Sequence, residues 1–259
     1  MKLKKILIII DESNFYHPDF FYSLCQKLKL KKFEIVVGLV TEVEEKNSIE
    51  KYLKKNLRKL YIKEILFLSL KKLFFKLFKN IFCKFNIFFS VKSAVSKLNL
   101  DFFEIKNDIN KKIYINQINK IKPDLIISSC SLIFNKEILE IPIFGCINRH
   151  TSLLPSFGGV YPVFHSIAEG NKFSGVTVHT MTSRIDDGLI LAQDKILNTN
   201  NNLSKIYKEG FKKSIKLVLL AIDNLLEKRF LEVKYKKSYY SFPNEDDWIR
   251  FRKNKGKFI

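Results

Sequence analysis

Short apolar runs alternate along this chain with longer segments in which apolar positions recur every three or four residues. Residues 5–10, 33–40, 102–105, 125–130, 141–147 and 190–196 are runs of the first kind, and Val176, Val178 and Thr180 continue the pattern by alternation. Each reads as a strand, and the unbroken β-branched runs read as strands covered on both faces. Residues 17–28 read as a helix with Pro18 in its first turn. Residues 108–121 read as a helix behind an acidic cap, and residues 161–169 as one closed by Gly170. Residues 131–140 give a turn and a short helix, and residues 42–79 read as helical throughout. A long amphipathic helix over residues 202–227 carries Ile206, Phe211, Ile215, Leu217, Leu220 and Leu225. Alternating strands and helices predict an α/β fold with a mostly parallel sheet.

The chain of 259 residues suits one α/β domain over residues 1–200 and a C-terminal appendage over 201–259. The appendage is the long helix followed by a basic, aromatic tail. There are no repeats and no Ser/Gly linker. No stretch of 18 uncharged apolar residues occurs, so no membrane span is expected. The apolar run after the basic N-terminus stops at Asp11, so no signal peptide is expected either. Residues 66–82 mix lysines with leucines and phenylalanines. The expectation is a helix packed on the sheet with its lysines solvated; a helix lying on a membrane surface is the alternative.

The net charge of +20 invites a nucleic-acid reading, but lysines outnumber arginines 40 to 6. Base recognition favours guanidinium forks, so this charge reads as a solvated basic surface and specific nucleic-acid binding is not expected. Cys25, Cys83, Cys130 and Cys146 form no Cys-x-x-Cys pair, and Cys130 and Cys146 lie in apolar segments as buried thiols. A reducing cytoplasm fits. No His or Cys cluster has metal-ligand spacing, so no metal is expected. The first strand is followed by Asp11-Glu12-Ser13-Asn14 rather than a Gly-x-Gly-x-x-Gly turn, which leaves a dinucleotide reading unsupported.

Candidate chemistry gathers in residues 145–193. The apolar run there ends in Asn148-Arg149-His150, and residues two apart in a strand share a face. Asn148 and His150 therefore point the same way at a carboxyl strand end, where ligands bind in open α/β sheets, and Ser152 is expected to continue that face. Pro155, Gly158 and Gly159 mark a loop, and a second strand leads into Asp186-Asp187-Gly188. An amide, an imidazole and a carboxylate can converge. Singly, each has a plain alternative: a satisfied core histidine, a turn asparagine, an aspartate before a turn glycine. His179 reads as core or pocket wall.

In order, Asn148, His150, Ser152-Leu153-Leu154-Pro155, the Gly158-Gly159 loop, Gly175/Thr177/His179 and Asp186/Gly188 resemble the motifs of the folate-dependent formyltransferases. That superfamily includes methionyl-tRNA, glycinamide ribonucleotide and sugar-nucleotide N-formyltransferases. The resemblance is clear over residues 95–196. One departure is Gly158, where many members carry Arg. The resemblance implies a Rossmann-like, mostly parallel sheet of the formyltransferase type with a small C-terminal helical and aromatic appendage. It implies transfer of a formyl group from 10-formyltetrahydrofolate, the co-substrate, to an amine, with Asn148, His150 and Asp186 catalytic; its Asp-x-Gly pattern selects Asp186 over Asp187. By position it implies folate contacts from Ser129, Cys130, Leu132, Phe134, Leu154, Arg184 and Ile185. It implies substrate contacts from Ser152, Pro155 and Gly159; His17 is a further candidate for such a contact, with local packing at the helix start the favoured reading.

For the amine, a nucleotide-linked amino sugar is the expectation. Relatives acting on tRNA resemble this domain followed by a β-barrel, whereas some 60 residues follow Thr199 here and begin with a long helix. Relatives acting on glycinamide ribonucleotide carry a Gly-rich phosphate loop after the first strand, where Asp11 and Glu12 would repel a phosphate. Tyr239, Tyr240, Phe242 and Trp248 either stack on a base or sugar or pack the appendage. Alternatives are transfer to methionyl-tRNA, glycinamide ribonucleotide or a lipid-linked amine, and a non-catalytic binding protein of the same fold. Monomer and homodimer both remain open.

Overall fold

The structure, a computed structural model, describes residues 2–13, 15–44, 49–82 and 87–259. Asn14, Cys83 and residues 45–48 of the long helix expected above lie outside the described residues. Contacts divide the chain into two compact units, Met1–Gly145 and Cys146–Ile259.

In the first unit, β1 (Lys5–Asp11) is followed by α1 (His17–Leu30), β2 (Glu34–Val43), α2 (Ile49–Lys55), α3 (Ile62–Phe82), α4 (Val91–Lys97), β3 (Asp101–Asn107), α5 (Lys112–Ile121), β4 (Leu125–Ser129) and α6 (Lys136–Leu139). The strand order is β3-β2-β1-β4, and the pairs β1–β2, β1–β4 and β2–β3 are parallel. The α/β class and largely parallel pairing expected from the alternation are found. β1 lies between two strands, and Ile6 to Ile10 are wholly buried, as an unbroken β-branched run requires. Helix α1 buries Phe20, Phe21, Leu24, Cys25 and Leu28, a stripe at helical spacing. The two carboxylates after β1 are both engaged. Asp11 accepts from the backbone N–H of Ser131, and Glu12 accepts from the N–H groups of Val91 and Lys92 (both 2.9 Å) at the start of α4. Free N–H groups in a first helical turn favour such a carboxylate.

Three expectations change in this unit. The helix expected over residues 42–79 is interrupted: β2 runs to Val43, α2 ends at Lys55, a 3₁₀ turn spans Leu57–Lys59, and α3 begins at Ile62. Asn56 turns back to donate to the carbonyl of Tyr52, and Glu64 accepts from the N–H of Tyr61 to close the first turn of α3. Asp108 does not cap α5; its side chain accepts from the backbone and side chain of Asn110 in a turn before that helix. Along α3 the expected packing on the sheet fails for Ile62, Leu66, Phe67, Leu70, Leu73, Phe74 and Leu77, all of which are exposed.

In the second unit, β5 (Cys146–His150) is followed by β6 (Gly158–Gly159), α7 (Pro162–Ala168), β7 (Phe173–Thr180), β8 (Ile190–Leu197), α8 (Leu203–Leu226), β9 (Tyr239–Tyr240) and α9 (Glu245–Lys253). β5 starts later than the apolar run from Ile141, because Pro142 turns the chain and accepts from the N–H of Gly145. β7 pairs antiparallel with both β5 and β8. The C-terminal helix and aromatic segment expected from residue 201 are present and packed. Helix α8 packs on β7 and β8, and α9 packs on α7, every residue of which is buried. Phe164 of α7 stacks on Phe251 at 4.2 Å between ring centroids and meets Trp248 edge-on at 5.0 Å. Trp248 is therefore core rather than a platform for a base or sugar. Tyr240 stacks on His165 and Phe157. Asn244 and Asp247 form a capping box at the start of α9.

One hydroxyl ties the loop after β5 to β7. Thr177 Oγ1, wholly buried, donates to the carbonyl of Ser152 (2.7 Å) and accepts from the N–H of Leu154 (3.1 Å) and from Gln193 Nε2 (2.8 Å). Thr177→Val keeps the shape and removes all three bonds. The expected outcome is a loss of about 1–3 kcal/mol, the scale for stranding buried polar groups, read from the urea midpoint. An unchanged midpoint would show that the hydroxyl does not hold the loop.

Candidate active site

The antiparallel register of β5 on β7 sets Asn148 opposite His179 and His150 opposite Thr177. Asn148 and His150, two apart, share a face, and cross-strand pairing brings His179 onto it. Asn148 Nδ2 lies 3.4 Å from His179 Nε2. The turn after β7 then carries Asp186 back to the same place. Its Oδ1 stands 3.6 Å from His150 Nδ1 and 3.7 Å from His179 Nε2. Its Oδ2 accepts from the N–H of Gly159 at 2.7 Å. One carboxylate thus faces two imidazoles and is held by a backbone donor. A bulge in the β7–β8 pairing falls between Val178 and His179, next to this cluster, where bulges re-aim side chains.

Two glycines make the geometry feasible. A Cβ on Gly159 (φ +91°) would collide with the carbonyl oxygen of Tyr240, because β6 pairs with β9 at that point. A Cβ on Gly188 would collide with the carbonyl of Thr180, so the Asp-x-Gly turn can fold against the end of β7 only without a side chain there. Asp186 itself has φ 52°, a left-handed conformation that Asp and Asn adopt more readily than most residues.

The tautomer of His179 follows from its partners. Nδ1 lies 2.8 Å from the carbonyl oxygen of Thr180, which only accepts, so Nδ1 carries the proton. Nε2 then presents a lone pair, and the atom of Asn148 facing it is the donor Nδ2. Burial pushes the His179 imidazole down to about 4; the Asp186 charge opposes that shift and His150 adds to it. His179 is neutral at pH 7 and fixes which way the Asn148 amide points. From sequence His179 is a motif residue and core or pocket wall; its register position opposite Asn148 is visible only once strand pairing is known.

The other expected residues fall in several places. Asp187 lies outside the cluster, paired with Lys237 and Arg184, and those cations lower its pKa. Arg184 and Ile185 are exposed in the turn before Asp186, and Leu154 is buried beside a cis peptide bond to Pro155. Ser152 does not continue the face of Asn148 and His150, since β5 ends at His150. Its hydroxyl is buried without a hydrogen-bond partner among the described residues and borders a separate cavity of about 310 Å³. In the first unit, Ser129 ends β4 with its hydroxyl buried. Cys130 follows it, its thiol pushed up to about 12 by burial and by Asp11. Leu132 and Phe134 are buried beyond it, and His17 opens α1. Among the described residues, no group of three or more His, Cys, Asp or Glu side chains is arranged to hold a metal ion.

Residues 4–221 match the family model described as formyl transferase. The chain is 35% identical over 159 residues to the bifunctional polymyxin resistance protein ArnA of Wigglesworthia glossinidia brevipalpis, covering 60% of this chain and 24% of that protein. It is 40% identical over 119 residues to a methionyl-tRNA formyltransferase of Prochlorococcus marinus, covering 45% of this chain and 36% of that protein. The chain thus spans well under half the length of these relatives. Among solved structures it resembles a sugar N-formyltransferase from Shewanella with a TM-score of 0.58 and 18% identity, covering 96% of this chain and 88% of that one. It also resembles the sugar 3N-formyltransferase WlaRD, determined in the presence of dTDP and 5-N-formyltetrahydrofolate, with a TM-score of 0.56 and 17% identity over 100% of this chain and 84% of that one. At these identities the structural matches establish the fold.

The buried neutral state of His179 sets a pH dependence. Its folded pKa of about 4 lies below the ordinary 6.5, so between those values the unfolded chain binds more protons. Stability is therefore full above pH 6.5 and falls as the pH drops toward 4, by about 3 kcal/mol over the window. His165, also lowered by burial, adds to the same slope, so His179→Gln is the control and is expected to flatten the curve in part. Histidine NMR resonances are expected to show His179 untitrated down to about pH 5; a midpoint near 6.5 would overturn the assignment.

Proposed function

This chain belongs to the formyl transferase family, and we propose that it transfers a formyl group from 10-formyltetrahydrofolate to the amino group of a nucleotide-linked amino sugar. The observation that carries formyl transfer is the convergence of Asn148, His150 and Asp186 on one face, 3.6 Å separating the imidazole of His150 from the carboxylate of Asp186. The neutral amine attacks the formyl carbon, a C–N bond forms, and the carbonyl oxygen becomes an oxyanion. One N–H of Asn148 Nδ2 is directed at the His179 lone pair, and the other is free to donate to that oxygen. His150 takes the proton the amine loses and returns it to the folate nitrogen as the original C–N bond breaks. Asp186 orients His150 and favours its charged form while it holds that proton. Ser129, Cys130, Leu132, Phe134, Leu154, Arg184 and Ile185 remain assigned to the folate by their positions in the family motifs. Ser152, Pro155, Gly159 and His17 remain assigned to the amine side. We place the protein in the cytoplasm, where the thiols of Cys25 and Cys130 stay reduced.

Support for the amino sugar comes from full-length likeness in fold to sugar N-formyltransferases, one of them determined with dTDP and a formylated folate. A second reading, transfer to methionyl-tRNA, is favoured by the 40% identity to a methionyl-tRNA formyltransferase over 45% of this chain. The discriminating assay offers 10-formyltetrahydrofolate with dTDP- and UDP-linked amino sugars, glycinamide ribonucleotide and charged initiator tRNA in parallel. Turnover confined to tRNA or glycinamide ribonucleotide would remove the amino-sugar reading and leave formyl transfer intact.

Asn148→Ala, His150→Ala and Asp186→Ala are each expected to cut turnover by about a hundredfold or more, the scale for losing an oxyanion donor or an acid–base group. Asp187→Asn is expected to cost less than Asp186→Asn, since Asp187 is engaged with Lys237 and Arg184. The reverse order would transfer the role to Asp187. A 5-formyl folate is expected to raise the thermal midpoint, by the equivalent of about 2.7 kcal/mol at a hundred times its Kd; calorimetry showing no binding to folded protein would count against the whole reaction.

A further inference from the structure

Helix α3 carries a surface that formyl transfer does not use. At 100° per residue, Ile62, Leu73, Leu66, Leu77, Leu70, Phe74 and Phe67 follow one another around an arc of roughly 140°. All seven are exposed, from 45% for Phe67 and Phe74 to 78% for Ile62. A stripe of that kind is well beyond the scattered apolar residues of an ordinary surface. Aromatic rings extend it: Tyr61 and Phe15 are exposed, with Lys63 Nζ 5.8 Å from the Tyr61 ring centroid and Lys71 Nζ 4.8 Å from that of Phe15.

The segment that carries this stripe is strongly basic in sequence. Between Lys51 and Lys84 the sequence holds ten lysines and Arg58 against a single carboxylate, Glu64. Glu64 is wholly buried and accepts from the N–H of Tyr61, so it offers no surface charge. Among the described residues, no helix is long and apolar enough to cross a membrane.

We infer that α3 docks this protein on an anionic lipid surface, lying in the plane of the headgroups. Such a surface satisfies both properties at once, taking the leucine and phenylalanine side chains below the headgroups while the lysines meet anionic lipid. Other occupants satisfy one property only. A second copy would set one basic segment against another. A nucleic acid would neutralise the lysines and leave seven large apolar side chains in water. The inference is independent of which amine is formylated.

The test is co-sedimentation of the full chain with vesicles of phosphatidylcholine alone and of an equal phosphatidylcholine–phosphatidylglycerol mixture. The expected result is binding at least roughly tenfold tighter to the anionic vesicles, weakened by salt. The double variant Leu70→Glu/Leu73→Glu is expected to lose at least roughly tenfold of that binding, with its thermal midpoint and its turnover of a water-soluble amine unchanged. Equal binding to both vesicles, none to either, or full binding by the double variant would overturn the inference. So would self-association that the double variant abolishes in a protein that does not bind lipid.

Discussion

The register of β5 against β7 is the constraint on which the candidate site depends. It sets Asn148 opposite His179 and leaves Arg149 pointing to the other face. There the guanidinium is buried, donating to Ser214 Oγ at 2.9 Å and to Thr151 and lying 3.8 Å over the Phe211 ring. A slip of one residue would exchange the faces, stranding a guanidinium among the site residues and placing an amide and an imidazole in the packing against α8. Each face therefore enforces the other. Arg149 is costly to bury, and burial lowers its pKa to about 10. The arrangement around it suits only one alignment, which is the attested use of buried polar groups.

Much of this was legible in the sequence because it rests on local signals. Ile6 to Ile10 had to be a doubly covered strand, and Asn148 and His150 had to share a face if residues 146–150 were extended. Elements fixed by distant contacts were not legible. The parallel pairing of Gly158-Gly159 with Tyr239-Tyr240 joins residues about 80 apart and has no periodicity to announce it. The tail read as a basic aromatic segment because α9 has only a few apolar positions, yet Trp248 and Phe251 are anchored by α7, far away in sequence. The break between α2 and α3 contains neither Pro nor Gly; it is made by side chains turned back on the backbone, Asn56 and Glu64, which compete with helix continuation without advertising it. His179 was legible as a motif residue and as a pocket wall, but its tautomer and its hold on Asn148 come from Thr180 and from strand pairing.

The loop after β1 shows a related limit. Two adjacent carboxylates there read from sequence as a reason to reject a phosphate. The structure gives them structural duties instead: Asp11 receives the N–H and hydroxyl of Ser131, and Glu12 receives two N–H groups of α4. Burial raises Asp11 to about 7 even against those donors. The carboxylates thus join β1 to the turn after β4 and to α4.

The two imidazoles facing Asp186 are chemically alike and differ in setting. His179 has 3% of its side chain exposed and gives its one proton to Thr180, so it has no exchangeable partner to offer a substrate. His150 has 12% exposed and sits between the carboxylate of Asp186 on Nδ1 and the carbonyl of Phe157 at 3.3 Å from Nε2. Both neighbours are hydrogen-bond acceptors. A site built this way keeps one ring neutral as a fixed acceptor for the amide and sets the other between a carboxylate and a carbonyl. On the proposed reaction that division is what the chemistry needs: a donor already aimed before the oxyanion forms, and a single base whose charged state the carboxylate stabilises only while the proton is in transit.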